Sequence, residues 1–556
     1  MTDRPNAAKP DPAAETILYN GVIRTMDAAN PVVEALAVAG GRIVGLGSQA
    51  ELMALRTEAT VLVDLGGRML MPGLIDFHVH LLSSMLARLH TTALDTADDF
   101  DTILGKIEAA CARQDGRDWV VAGAYGALAL RRMREPGALA ALDAVSRGRP
   151  VAMQHLSGHG YFANSAALRI AGIDAATPNP PDGEIVKDAA GQPTGLLIES
   201  GAWPVTDAIP ELTAAGKVEA ARASIAYLNS LGITGFADAS ASLEALQFYR
   251  ALDEAGALTC WAAFHLALSP TCSGYSADEA KLMREQRREL CGPHMNADFA
   301  KIFLDGVPSL RTAAMLAPYA SAPDEPPVAT SLTLEELTEA IADFDRDGLG
   351  VKVHAVGDRA IRMVLDAVEQ VRLRNGPDGP QHQIAHGQFI TAADIPRLAK
   401  LNVLHDMCPP LWHPNSASLT HERMVGPERY ATVWPVRDIL ASGAAVVAAS
   451  DWRTIAPDLD PWEAMCGLVT RRDPTGRYEG THAPDQAVSV AEVLPLYTSN
   501  PAAAMRLGHR TGRLAPGLSA DMIMLDRDLM TIDPMAIAQT KVLATWFEGR
   551  LVHGSA

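Results

Sequence analysis

Met71-Pro72-Gly73-Leu74-Ile75-Asp76-Phe77-His78-Val79-His80 places a short apolar run behind a Pro-Gly turn and ends it on two histidines. The run at 74–79 reads as a buried strand, since a short apolar stretch bounded by a turn signal marks a strand covered on both faces. Two apart on a strand, His78 and His80 share one face. Two imidazoles converging at a strand end suit a divalent metal of the zinc type, although two satisfied histidines would look the same. The sequence downstream shifts the balance toward the metal.

A long segment, about 81–215, follows before regular alternation sets in. From there short apolar strands alternate with helical stretches rich in Ala, Leu and Glu. The strands are expected at 233–237, 260–264, 299–304, 351–355, 382–386, 402–404 and 445–449. With the first they make eight. Eight strand–helix units predict an α/β fold, a parallel (β/α)8 TIM barrel whose active site gathers at the C-terminal strand ends.

Both chain ends read as β. Residues 16–21 form a strand ending on the hairpin signal Asn20-Gly21, and 35–38 with 42–46 form a second hairpin around Gly40-Gly41. Strands at 61–64 and 68–70 follow, and 520–526 and 542–547 mirror them near the C-terminus. The economical arrangement is one small β-sandwich domain from 16–70 and 508–556 beside a barrel over 71–507. It leaves 81–215 as an insertion and 1–15 as a disordered lead-in.

Charged residues at 20% and hydrophobic ones at 48% of 556 residues describe a globular chain able to bury a large core. A net charge of −19, without a Lys/Arg cluster, excludes a nucleic-acid-binding face. The six cysteines (Cys111, Cys260, Cys272, Cys291, Cys408 and Cys466) are scattered with no CxxC pair. That argues against a disulfide framework or a structural zinc site and fits a reducing compartment. Residues 1–14 lack the apolar core of a signal peptide, and no apolar run is long enough for a membrane span. A soluble, cytoplasmic protein with no membrane contact is expected.

The predicted strand ends supply His78, His80, Lys301, His354, His386 and Asp451. Five are metal ligands by chemistry. Lys301 is the exception, since an ammonium repels a cation; it contributes only if neutral or modified, for example as a carbamate formed with CO2. Any one of the six could be a buried polar residue with a hydrogen-bond partner. Together at one barrel mouth they form a set.

With that set the chain resembles the metal-dependent amidohydrolase superfamily, which includes hydantoinases, dihydroorotases and ureases. HxH, a strand-4 Lys, His on strands 5 and 6 and a strand-8 Asp are the shared pattern. Closer similarity is to the branch containing N-substituted formamide deformylases. It is carried by Lys301-Ile302-Phe303-Leu304-Asp305-Gly306, Leu310-Arg311-Thr312, His354-Ala355-Val356-Gly357-Asp358, Ser157-Gly158-His159-Gly160 and Thr498-Ser499-Asn500-Pro501, and spans 16–553. Two stretches depart from the pattern, Ala124-Tyr125-Gly126-Ala127 and His405-Asp406-Met407-Cys408-Pro409-Pro410 with Trp412 and His413.

The resemblance implies a hydrolase that cleaves a C–N amide bond of a small-molecule substrate, N-substituted amide or formamide in type. Its cofactor would be one or two zinc ions held by His78, His80, Lys301 (carboxylated or not), His354, His386 and Asp451. Asp451 would act as general base and then acid, with His159 or Arg311 helping to stabilise the oxyanion. His159, Glu199, Tyr125, Trp412 and His413 would line the substrate pocket, and Asp305 and Asp358 would orient ligands. A homodimer is the simplest assembly. A cyclic-amide hydrolase, a deaminase and a non-catalytic scaffold are the alternatives. The stretch after His354 lacks the Glu common in deaminases, and no ligand position is lost as scaffolds usually lose them.

Overall fold

The structure, a computed structural model, describes residues 13–113, 118–210, 212–452 and 458–555. Eight parallel strands form its centre: β1 (Leu74–Val79), β2 (Ile233–Ala241), β3 (Trp261–Leu266), β4 (Met295–Phe303), β5 (Gly350–Ala355), β6 (His382–His386), β7 (Val403–Met407) and β8 (Val446–Ala448), each hydrogen-bonded to the next. All six residues of β1 are buried, as a strand covered on both faces requires. Register sets Lys301 level with Lys352, Phe303 with His354 and Ala355 with His386, so the two lysines of neighbouring strands arrive at one height.

Between β8 and β1 the barrel is joined by side chains and single backbone contacts. Asp451 N–H donates to His78 O at 2.8 Å, and Ser450 donates from N and Oγ to the Asp76 carboxylate at 3.2 and 2.5 Å. This seam lies beside His78 and Asp451.

The chain ends build two facing sheets. One has the order Arg42–Gly47, Ala35–Ala39, Thr16–Tyr19, Val61–Asp64. The other runs Arg550–Gly554, Val542–Phe547, Met522–Leu525, Met69–Pro72, Val22–Arg24, Val32–Val33. Leu18, Leu36, Leu70, Met524 and Trp546 meet in the core between them. Asn20-Gly21 is not the hairpin its sequence suggests. The chain crosses there from one sheet to the other, with Asn20 in the left-handed region at φ 58° and its Nδ2 donating to Asp64 Oδ1 at 2.7 Å. Of the expected lead-in, residues 1–12 lie outside the described residues. Residues 14 and 15 join the sheet: buried Ala14 donates to Leu55 O, and Glu15 N–H to Val38 O at 2.8 Å. Gly73 links this sheet to β1; a Cβ there would fall 2.1 Å from Thr234 Oγ1, so only glycine fits.

The segment 81–215 folds into a lobe of its own. Six strands in the order Gly183–Lys187, Pro193–Glu199, Gly160–Ala163, Val151–His155, Val120–Tyr125, Thr92–Ala93 pack on helices such as Phe100–Cys111 and Ala138–Val145. Ile103, Ile107, Leu142, Phe162 and Leu196 make its core. Among the described residues no helix is long and apolar enough to cross a membrane.

Candidate active site

The site is built outward from β1. His78 is fully buried, and its Nδ1 lies 2.7 Å from Asp406 Oδ2. An ionised carboxylate only accepts, so Nδ1 carries the proton and Nε2 keeps its lone pair. That Nε2 is buried and has no hydrogen-bond partner. Asp451 Oδ1 stands 3.6 Å from Nε2 of both His78 and His80. His386, at the end of β6, donates from Nδ1 to Cys408 O at 2.9 Å, which turns its Nε2 the other way. Its ring centre lies 5.1 Å from that of His78 and 4.3 Å from that of His354. Burial holds His78, His354 and His386 well below the ordinary histidine range and His80 at about 3, so all four imidazoles are neutral.

Two lysines face the same interior. Lys352 Nζ lies 2.7 Å from Asp406 Oδ2 and donates to Phe77 O at 2.7 Å, with both charged side chains fully buried. Lys301 Nζ is buried without a hydrogen-bond partner. Burial, then the nearby Lys352 ammonium, pushes the Lys301 amine down to about 8.

The lobe contributes the opposite wall. His159 Nδ1 and Glu199 Oε2 are 2.8 Å apart, and the His159 ring centre is 5.3 Å from that of His354. Burial opposes charge on His159, but the Glu199 carboxylate with its hydrogen bond, then Asp451 and Asp305, outweigh it and raise the imidazole. Glu199 is lowered correspondingly: burial works against ionisation, and the His159 charge and hydrogen bond overcome it. Between lobe and barrel mouth lies a cavity of about 1700 Å³ that takes in His80, His159, Glu199, Trp203, Lys301 and Asp451. Arg311 stands on its rim, half-buried and paired with Glu325 at 2.9 Å.

Three expected pocket residues lie elsewhere. Trp412 is a core residue: fully buried, its indole N–H donates to Ala464 O at 3.0 Å and its ring packs edge-on against Trp434. His413 faces a separate small cavity beside Asn415 and Asp473. Tyr125 is buried behind His155, ring centres 5.2 Å apart. Asp305 and Asp358 clamp loops rather than imidazoles. Asp305 accepts from the backbone N–H groups of Ala314, Val356 and Gly357 at 2.8–2.9 Å and stands 3.8 Å from His354 Nε2. Asp358 accepts from Leu316 and Arg359. Sequence reasoning gave Asp406, Lys352, Cys408 and Asp76 no individual role, although it marked 405–410 as a departure from the family pattern. Lys352-Val353-His354 has the same two-residue spacing as HxH, and Asp406 with Cys408 repeats it at the end of β7.

The donor chemistry fits a divalent cation. One atom each from His78, His386, Cys408 and Asp451 lies within 4.8 Å of the others, all buried, and the orphaned His78 Nε2 and Lys301 Nζ border the same space.

Residues 61–553 match the sequence profile of the Amidohydrolase family. The chain belongs to that family, and with it to the hydrolases. Among its relatives, an N-substituted formamide deformylase of Arthrobacter pascens is 29% identical over 97% of this chain and 98% of its own. Protein LONG AFTER FAR-RED 3 of Arabidopsis thaliana is 26% identical over 97% of this chain and 92% of its own. The fold matches that of an uncharacterized metal-dependent hydrolase from Pyrococcus horikoshii with a TM-score of 0.72 at 22% identity, covering 93% of this chain and 99% of that one.

Proposed function

We propose that this amidohydrolase is a metal-dependent enzyme that cleaves the C–N bond of a small N-substituted amide, formamides included. The observation that carries the proposal is Asp451, set 3.6 Å from Nε2 of both His78 and His80 where β8 meets β1. His78, His80, Lys301, His354, His386 and Asp451 would hold the metal, with zinc the ion that such nitrogen and oxygen donors favour. The chemistry a divalent ion supplies when bound there is Lewis acidity, which acidifies water and polarises an amide carbonyl.

The chain's own groups do the rest. The Asp451 carboxylate takes a proton from the attacking water and returns it to the leaving amine nitrogen, so one group serves as base and then as acid. His159, whose imidazolium form the Glu199 carboxylate stabilises through Nδ1–H, offers Nε2–H in that form to the oxygen that gains charge as the carbonyl carbon becomes tetrahedral. The Arthrobacter deformylase, similar along nearly its whole length, supports the amide class.

The test is turnover of a panel of formamides and acetamides of primary amines by metal-loaded protein and by Asp451→Asn. The wild type is expected to release amine, and the variant to lose about 100- to 10,000-fold in kcat with KM little changed. Release of ammonia from aminopurines without any amide cleavage would replace this reading with deamination.

A further inference from the structure

We propose that Cys408 is a thiolate ligand of the ion in this site, completing a donor set of His78, His386, Cys408 and Asp451. The inference rests on the metal-hydrolase reading above and assigns a ligand that the HxH, Lys, His, His, Asp pattern does not contain.

Three observations converge on it. Cys408 is buried, follows the end of β7 and lines the catalytic cavity. Its sulfur belongs to the one group of donors, among the described residues, in which all atoms lie within 4.8 Å of one another. Among the described residues its hydrogen-bond contacts are weak, 3.5 Å to His386 Nδ1 and 3.9 Å to Asp406 O, so ligation would displace little. Zinc–nitrogen bonds near 2.0 Å and zinc–sulfur bonds near 2.3 Å give a tetrahedron with edges of roughly 3.5 Å. Reaching that from a spread of up to 4.8 Å draws the four side chains closer together on binding.

Residue 408 would then act twice. Its carbonyl already holds His386 Nδ1–H, aiming Nε2 of that ring, and its sulfur would bind beside it. On binding, the S–H bond breaks, a sulfur–metal bond forms and the proton leaves to solvent, with no change of oxidation state. A thiolate makes the site softer, favouring zinc or cobalt over magnesium or manganese. His80, Lys301 and His354 remain available to a second ion.

The experiment is the absorption spectrum of the full-length protein stripped with chelator and reloaded with Co2+. The wild type should show a near-ultraviolet sulfur-to-cobalt charge-transfer band along with visible ligand-field bands. Cys408→Ser should keep the visible bands, lose the ultraviolet one and bind cobalt at least tenfold more weakly. Cys272→Ser is the control, its sulfur 3.4 Å from Lys301 O, and should keep the band. If Cys408→Ser does not fold, X-ray absorption of zinc-loaded wild type should show one sulfur neighbour near 2.3 Å. Cobalt bound without a charge-transfer band, or a band that survives Cys408→Ser, overturns the assignment and leaves the hydrolase reading standing. No uptake of zinc or cobalt overturns both.

Discussion

Asp406 ties together the two demands on this barrel, a stable interior and a correctly aimed ligand. Its Oδ2 serves Lys352 and His78 at 2.7 Å each, and all three side chains are shut off from solvent. At an effective dielectric near 20, the Lys352–Asp406 attraction is roughly 6 kcal/mol. Removing two ions from water costs several kcal/mol apiece, so the pair as a whole contributes little more than apolar side chains of the same volume would. Losing one partner is different, because the other charge stays buried. Asp406→Asn is therefore expected to destabilise the metal-free protein by about 3–5 kcal/mol. Asp406→Leu combined with Lys352→Met should recover most of that loss.

Metal affinity should follow a different rule. With Asp406 gone the His78 ring loses the acceptor that fixes its tautomer and orientation, and affinity should fall about 10- to 100-fold in Asp406→Asn and in the double variant alike. Lys352→Met alone should not weaken it, since Asp406 still holds His78. Urea unfolding of chelator-treated protein, followed by tryptophan fluorescence, reads the first quantity; competition with a chromophoric chelator reads the second. A double variant as unstable as Asp406→Asn, or an Asp406→Asn within about 1 kcal/mol of wild type, would refute the reasoning.

Four further outcomes are expected. Lys301→Ala should lower bound zinc from about two ions per chain to one or none if its carbamate bridges a pair; one ion unaffected by the substitution would leave Lys301 outside the metal set. In the lobe, His159→Ala should lower kcat about 100- to 1,000-fold. Glu199→Gln should have a smaller effect in the same direction. Gly306→Ala should mimic it with metal content intact, because a Cβ there would come within 2.6 Å of Glu199 Oε1 and 2.1 Å of Thr312 Oγ1. Unchanged kinetics in Gly306→Ala would mean that Glu199 does not hold His159.

The sequence was most legible where backbone pattern and side-chain chemistry coincide. Buried parallel strands are apolar runs, so β1 to β8 could be counted, and a histidine that ends such a run stands out. Asp406 and Lys352 were harder to see because their partners come from strands far off in sequence: 54 positions separate the two, and 328 separate Asp406 from His78. A lysine inside a strand looks like an edge charge until register puts it level with Lys301. Trp412 and His413 lie away from the large cavity for the opposite reason. Both follow a functional strand end closely, but the turn at 409–411 sends them behind the barrel wall, where Trp412 packs against Trp434. Asn20-Gly21 carries a local turn preference that two flanking sheets override. The lobe over 81–215 was legible only as an insertion, since its sheet pairs strands in an order that no periodicity encodes.

The groups assigned to chemistry sit where the backbone is least comfortable. Glu199, Arg311, His386 and Asp451 all adopt positive φ, at 50°, 63°, 72° and 49°, although none is glycine. Each such residue costs on the order of 1–3 kcal/mol and persists only where its surroundings fix it. Those surroundings are identifiable. Asp451 N–H is held by His78 O, Glu199 N–H by His159 O, and the His386 ring by Cys408 O. In each case the constraint comes from another residue of the same site, on a different strand or across the lobe. The strain therefore locks the donors to one another, and a barrel whose first and last strands meet through contacts that include Asp76, Ser450, His78 and Asp451 gains part of its closure from the same contacts that aim the donors of the candidate site.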